Sequence, residues 1–471
     1  MLKASDALSI RGKQTHSSYW RRGAVAAMLS FFVSPSVEAE TSTINQTNKQ
    51  TLLADALPTL LPPINPSSGN QYVAGEVSLD QALNETFGQS PRAASVRLQL
   101  GIAKSAIPQA LTFPNPSLIV YNGFIAEQTY QLGASIPIEQ PWKVFFRLVS
   151  AKQQIKQADL EIQRTLWLLR SNVRRAFLEV VLAEEMALTL AQVAELTNRL
   201  LLAAEKRANA GDVANLDVFK AKLAHSQAQI ELAQSQRQVK LTKRRLNVLR
   251  GKDHAVELSV PRLPPFELKV QRTELLPDFD QALPTLDQLI TTAHQKRLDV
   301  RLVNQAIKTN EAALKSTYAS ILPNTQFNVG RSITGNPPDG PKLNGYFIGI
   351  NQEMPVFDFK QADVARYRAS LRQLKIEAEA QKNIVSEEVA VAYERVSIAR
   401  ERIQAYQDHL LADSEQVARL ARRSYEVGQS DITAAIAAQQ ANIQVKTQYL
   451  EAVRSYQQAF TDLEQAVGQI L

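Results

Sequence analysis

Cysteine is absent from the 471 residues. Disulfides, thiolate zinc sites, iron–sulfur clusters, cysteine nucleophiles and a lipid on an N-terminal cysteine are therefore all excluded. Histidine is scarce: His16, His225, His254, His294 and His409 lie far apart, and no two stand at i, i+4 as a helical His-pair metal site requires. There is no Gly-rich phosphate loop or nucleophile elbow, so catalytic, cofactor-binding and metal residues are all expected to be none, and the chain does not read as an enzyme. Long hydrophobic runs are also missing. No apolar stretch approaches the roughly eighteen residues of a membrane helix, and the mean hydropathy is −0.21. A helical membrane bundle is excluded.

Charge is not one-sided. Lys plus Arg exceed Asp plus Glu by 53 to 46, giving +7 and a pI near 9.3. That balance invites a nucleic-acid reading. The densest basic cluster, Lys240-Leu-Thr-Lys-Arg-Arg245, has no interleaved aromatic residues for base stacking and reads as a solvated helix face, so nucleic acid is not an expected partner.

The N-terminus is arranged as an export signal. Lys3, Arg11, Lys13, Arg21 and Arg22 precede an apolar stretch, Ala24–Val33, and the small-residue site Val37-Glu38-Ala39 follows. Residues 1–39 are expected to be a cleaved signal peptide, whose removal lowers the net charge from +7 by three, to +4. Residues 40–75, rich in Thr, Asn, Gln and then Pro58, Pro62, Pro63 and Pro66, read as a flexible N-terminal segment.

Proline, with 21 residues, is withheld from two long spans, 142–260 and 356–471. Because proline costs a helix interior about 3 kcal/mol, each span reads as nearly continuous helix. Within them glycine occurs only at Gly211 and Gly251, and at Gly428 and Gly468. Each span is thus a helix of about 65–70 residues, a glycine turn and a return helix of about 35–40, and at 1.5 Å per residue the longer helix reaches roughly 100 Å. Apolar residues step by three and four, as a coiled-coil seam requires. In the second span the seam runs Val364, Tyr367, Leu371, Leu374, Ala378, Gln381, Val385, then Ala392, Val396, Ala399, Ile403, Tyr406 and Leu410, with Leu450, Val453, Phe460, Leu463, Val467 and Ile470 on the return helix.

The chain is duplicated. Ser78-Leu-Asp-Gln-Ala82 recurs as Thr285-Leu-Asp-Gln-Leu289, Pro114-Asn115 as Pro323-Asn324, Ile136-Pro137 as Met354-Pro355, and Leu246–Gly251 as Leu463–Gly468. The first repeat spans 76–260, with strands at 117–123 and 129–138 and a helical hairpin at 142–250. An inter-repeat linker covers 261–284. The second repeat spans 285–471, with strands at 326–333 and 345–353 and a hairpin at 356–468. Phe327, Val329 and Ile333 share one strand face, while Tyr346, Ile348 and Ile350 alternate with small or polar neighbours, Phe347 excepted. Strands of this length suit either soluble hairpins or a tilted membrane crossing. Four strands cannot close a membrane barrel, and open edges in lipid would strand backbone groups, so several copies must pool their strands. Three would give twelve, a number that the residues alone do not fix.

The order of these features resembles the TolC-like outer-membrane factor (outer membrane efflux protein) family over about residues 76–471: export signal, tandem repeat, Pro-Asn before each strand pair, Ile136-Pro137 and Met354-Pro355 after it, and glycine turns. Phe113-Pro114-Asn115-Pro116-Ser117-Leu118 with Ile138-Glu139-Gln140-Pro141-Trp142-Lys143 resembles the heavy-metal and related resistance-pump branch. The resemblance implies a mainly α fold with a small membrane β part: tandem-duplicated long helical hairpins forming a trimeric α-barrel in the periplasm, plus a 12-stranded β-barrel in the outer membrane, four strands per chain. It implies the passive exit duct of a tripartite efflux or type I secretion system. The implied partners are two further copies, a periplasmic adaptor (membrane fusion) protein, an inner-membrane transporter of RND or ABC type, and outer-membrane lipids. Adaptor contact is implied at the periplasmic tips, which place Arg207, Gly211, Asp212, Asp217, Arg423, Tyr425, Gly428 and Asp431 as candidates. The return-helix positions at which some members carry acids hold Ala434 and Ala437 here, while Asp217 keeps an acid in the first repeat. Apart from the resemblance, a soluble periplasmic coiled-coil adaptor or scaffold without a channel is the competing reading.

Overall fold

The computed structural model describes residues 76–122, 128–260, 283–335 and 343–471. The expected signal peptide, the N-terminal segment to residue 75 and all but the last two residues of the linker at 261–284 lie outside the described residues. The first half runs α1 (Leu79–Gln89), α2 (Pro91–Lys104), α3 (Ala106–Leu111), β1 (Ser117–Asn122), β2 (Gln128–Ile138), α4 (Pro141–Asn209) and α5 (Asn215–Leu249). The second runs α6 (Leu286–Lys296), α7 (Leu298–Ala319), β3 (Thr325–Gly335), β4 (Leu343–Gln352), α8 (Gln361–Ala405), a π-helical turn (Tyr406–Leu410), α9 (Leu411–Glu426) and α10 (Ile432–Val467).

Helix α4 is 69 residues long, about 100 Å at 1.5 Å per residue. Pro141 opens it at a position where a missing N–H costs nothing, after an extended Gln140. The second long helix begins later than the expected hairpin start at 356. Residues 354–360 form an irregular turn in which Lys360 takes the left-handed conformation at φ 58°, held by Asp358 Oδ1 accepting from its backbone N–H at 2.8 Å.

The long helices form a layer. α5 packs on α4, α4 on α10, and α10 on α8 and α9, so α5 and α8–α9 occupy the two margins. The seam on α8 and α10 buries Val385, Val389, Ala392, Val396, Ala399 and Ile403 against Val453, Leu463 and Val467, together with Leu289 and Ala293 of α6. α4 and α10 are joined by charge as well. Glu464, 1% exposed, accepts from Arg170 Nη1 at 3.2 Å and Arg174 Nη1 at 2.5 Å, and Arg175 Nη2 donates to Asp462 at 2.5 Å.

One expectation fails at the π turn. The periodic seam placed Leu410 inside, yet Leu410 is 46% exposed and Leu411, at 7%, is buried in its place. The π turn inserts one residue into the α-helical count, which shifts the phase by about 100°. Tyr406 Oη donates to Gln448 Oε1 at 3.1 Å and Gln407 Nε2 to Tyr449 Oη at 3.1 Å, tying this turn to α10.

The sheet is antiparallel in the order β1-β2-β3-β4. Its register puts Leu118, Val120, Leu132, Ala134, Ile136, Phe327, Val329, Ile348 and Ile350 on one face, with Arg331 between Leu132 and Tyr346 as its charged member. The other face carries Gln131, Gly133, Ser135, Asn328, Gly330, Ser332, Gly349 and Asn351, with Ile119 and Tyr121 of β1 beside Gly133 and Gln131. A mainly apolar face backed by a mainly small and polar one is the dyad pattern of a membrane barrel wall. Phe347, the exception in the alternation, lies on the polar face, with its ring across the Gly133–Gly330 pair at the centre of the β2–β3 register. A Cβ at Gly330 would stand 2.5 Å from that ring and 2.5 Å from Gly133 Cα, so only glycine fits. Among the described residues no helix is long and apolar enough to cross a membrane.

Candidate functional site

At the end of the helices remote from the sheet, each hairpin reverses through a glycine. Gly211 and Gly428 adopt φ 81° and 83°, a region that side chains with a Cβ avoid. The turns are closed by the same pair of bonds. The N–H of Gly211 reaches Ala208 O at 3.0 Å and that of Asp212 reaches Arg207 O at 2.9 Å; in the second repeat Gly428 reaches Tyr425 O at 3.0 Å and Gln429 reaches Ser424 O at 2.8 Å. These bonds satisfy carbonyls that the helix ends would leave bare.

The two tips share one small core. Leu200 and Ala204 of α4, Ala221 of α5, Tyr425 of α9, and Ile432 and Ala435 of α10 are buried together. Tyr425, fully buried, is the largest of them. Arg207 reaches across from the first repeat, its guanidinium 4.9 Å from the centre of the Tyr425 ring, while Nη1 donates to Tyr425 O at 2.9 Å. A Cβ at Gly428 would lie 3.6 Å from Arg207 Nη2. Burial pushes the Tyr425 hydroxyl above the ordinary tyrosine pKa, more than the nearby Arg207 charge draws it down.

A polar link lies beside this stack. Lys220 Nζ of α5 donates to Thr433 Oγ1 of α10 at 3.1 Å and sits 3.8 Å from Asp217 Oδ1. Asp431 precedes α10 as its N-cap residue. The Thr433 hydroxyl, aided by the Lys220 charge, holds its carboxyl below the ordinary aspartate range.

The structure thus brings Arg207, Asp217, Tyr425, Gly428 and Asp431 into one cross-repeat assembly. Gly211 shapes its turn, while Asp212 and Arg423 remain exposed on the surface of the tip. Lys220 and Thr433 complete the assembly and were not among the expected residues. Their signals were the i, i+3 spacing from Asp217 to Lys220 and a hydroxyl two positions after an N-cap aspartate. Ala434 and Ala437 are exposed on the first turns of α10. Arranged this way, the tip can present a rigid, chemically mixed edge for docking.

Comparison with known proteins agrees with this architecture. The model of the family described as "Outer membrane efflux protein" matches residues 75–252 and 289–469, one segment in each half. The cobalt-zinc-cadmium resistance protein CzcC of Cupriavidus metallidurans is 23% identical over 403 residues, covering 84% of this chain and 91% of that protein. Among solved structures, the fold is similar to that of CusC (TM-score 0.64, 16% identity, 85% of this chain and 96% of that one). It is also similar to the outer-membrane channel OprN (TM-score 0.62, 17% identity, 83% and 90%) and to VceC of Vibrio cholerae (TM-score 0.63, 14% identity, 83% and 96%). With its family model matched across both repeats, the chain belongs to the outer membrane efflux protein family.

Proposed function

We propose that three copies of this outer-membrane efflux protein close into a single passive duct, with no chemical step, whose helical part spans the periplasm. One observation carries the reading: the sheet and the helical layer both end on unpartnered margins. Strands β1 and β4 are the open edges of the sheet, and α5 and α8–α9 are the margins of the helices. Open edges are intolerable in lipid, and a closed ring satisfies both layers with one symmetry operation. Four strands from each of three copies give twelve, above the minimum of eight for a membrane barrel.

The tips then form the inner end of the duct, and we assign to them contact with a periplasmic adaptor, which couples the duct to an inner-membrane transporter. Arg423 and Asp212 supply the exposed charges of this edge, while the Arg207–Tyr425 stack and the Asp217–Lys220–Thr433 link fix its shape. The similarity to a cobalt-zinc-cadmium resistance protein supports divalent metal cations as the exported class. The duct needs no metal ligands of its own for this, because selection belongs to the transporter.

The test is fractionation followed by capture. An oligomer resistant to SDS in the outer membrane, crosslinking to an adaptor and a transporter, is the expected result. Replacing Gly211 and Gly428 with bulky residues should abolish that capture and leave the oligomer intact, and deletion of the gene should sensitise cells to cobalt, zinc or cadmium. Material found only in the soluble fraction would overturn the duct.

A further inference from the structure

The two helical margins carry matching stripes. On α5, Leu223, Ile230, Leu241 and Val248 are 57–67% exposed and fall on one face. On the opposite margin Val391, Ile398, Leu410 and Val417 are 43–57% exposed, again on one face. Rows of large apolar side chains of this length are not left in water by a finished assembly. Charge is placed in the same rows. Arg237 and Arg244 lie in the α5 stripe, and Glu394 and Glu401 in the α8 stripe; all four are exposed and have no ion-pair partner among the described residues. Their neighbours in the basic cluster are already engaged within the chain, Lys243 with Glu184 at 2.5 Å and Arg245 with Glu179 at 2.9 Å.

We propose that these stripes are the two halves of the subunit seam, α5 of one copy lying antiparallel on α8–α9 of the next in a fixed register. The inference rests on the closed-ring reading and adds its recognition code. In this register Leu223 meets Val417, Ile230 meets Leu410, Leu241 meets Ile398 and Val248 meets Val391, while Arg237 pairs with Glu401 and Arg244 with Glu394. The register follows from height. Gly428 and Arg207 place the two tips of one chain side by side, and cyclic symmetry sets every tip in the ring at the same level. Counted away from Gly211 along α5 and from Gly428 along α9 and α8, the members of all six pairs stand at the same distance to within one residue, or about 1.5 Å. Apolar meets apolar, and each arginine meets a glutamate.

The π turn is what keeps the second stripe continuous. In an unbroken α-helix Leu410 would lie about 120° around the axis from Ile398. The residue inserted at Tyr406–Leu410 returns roughly 100° of that phase, so the stripe below the turn faces the same neighbour as the stripe above it. A second copy is the occupant because both halves belong to one chain and match in height and charge.

The absence of native cysteine gives a clean test in the full-length protein. Leu241→Cys with Ile398→Cys should form disulfide-linked trimers in the outer membrane, since facing positions fall within the Cα–Cα reach of a disulfide, about 4.4–6.8 Å. Leu241→Cys with Val391→Cys, slipped by two turns, should form none. In parallel, Arg237→Glu with Arg244→Glu should cut the trimer fraction at least tenfold, and adding Glu394→Arg with Glu401→Arg should restore it. Crosslinking by the slipped pair, or failure of the reversed charges to rescue, would overturn the register while leaving the ring standing. Absence of any oligomer of the unaltered chain in the outer membrane would overturn both.

Discussion

Replacing Arg207 with alanine should loosen the tips without disturbing the body of the hairpins. The side chain supplies two interactions to the second repeat, a bond from Nη1 to Tyr425 O at 2.9 Å and a stack on the Tyr425 ring at 4.9 Å. A hydrogen bond from a charged donor contributes about 1.5–3 kcal/mol when buried, and Arg207 is only half-buried, so about 1 kcal/mol is a fair share here. The cation–π contact at a partly exposed site adds about 0.5–1 kcal/mol. Together they oppose local opening by about 1.5–2 kcal/mol, a factor of roughly 10–30 in the opening equilibrium. Hydrogen exchange in detergent-solubilised protein should therefore speed up by that factor in the last turn of α9 and the first turn of α10. Exchange at the other end of α10, where the N–H of Gly468 bonds Glu464 O at 2.9 Å, should be unchanged. Arg207→Lys should recover only part of the loss, because an ammonium neither stacks as a plane nor presents the same fork. Unchanged exchange in the alanine variant would refute the assignment. Complete recovery by lysine would show that charge alone, and not the stack, holds the tips together.

Other perturbations test other levels of the structure. Glu464→Gln leaves Arg170 and Arg174 with a neutral partner in a buried site and should cost about 3–5 kcal/mol, read as a lower denaturation midpoint. Gly330→Val should prevent a heat-modifiable β-form on gels, because its Cβ would meet Gly133 Cα at 2.5 Å, whereas Gly349→Ala, with nothing within 4 Å of the new carbon, should be tolerated. Deleting His409 removes the extra residue of the π turn and should turn α9 by about 100° against α10, exposing Leu411 and making the tip protease-sensitive. The Asp431 carboxyl is held below its ordinary pKa by Thr433 and Lys220, so its contribution is present above the ordinary aspartate range and lost only as pH falls through the lower folded value. Tip protection factors, which remove the intrinsic pH dependence of amide exchange, should accordingly be flat from pH 5 to 8 and fall in stronger acid, a fall that Asp431→Asn should remove.

The helices were legible because their signals are local. Proline is missing where α4 and α8 run, and glycine sits at 211 and 428, where φ is positive. The strands were legible in phase, but the reason for Phe347 was not. Its ring occupies space vacated by Gly330 on the adjacent strand β3 and Gly133 on β2 beyond it, about two hundred residues apart in the chain, and single-strand alternation carries no such information. Leu410 failed for a related reason. Counting threes and fours assumes a constant helical pitch, and nothing in Tyr-Gln-Asp-His-Leu announces a π turn. At the tips the turn geometry was readable, since it needs only glycine. The pairing of Arg207 with Tyr425 depends on how two hairpins, joined through most of the chain, come to lie side by side.

A ring built from duplicated hairpins has two kinds of contact to keep apart, and the two are built differently. Within a chain, α4 and α10 meet through a buried network, Arg170 and Arg174 on a Glu464 that is 1% exposed, with Arg175 on Asp462 beside it. On the proposed register the contact between chains relies instead on apolar pairs punctuated by two arginine–glutamate rungs. The π turn serves both kinds of contact at once: α4 runs unbroken, whereas the residue inserted at Tyr406–Leu410 sets Leu411, 7% exposed, into the internal seam and leaves Leu410 in the stripe that the next copy is proposed to cover.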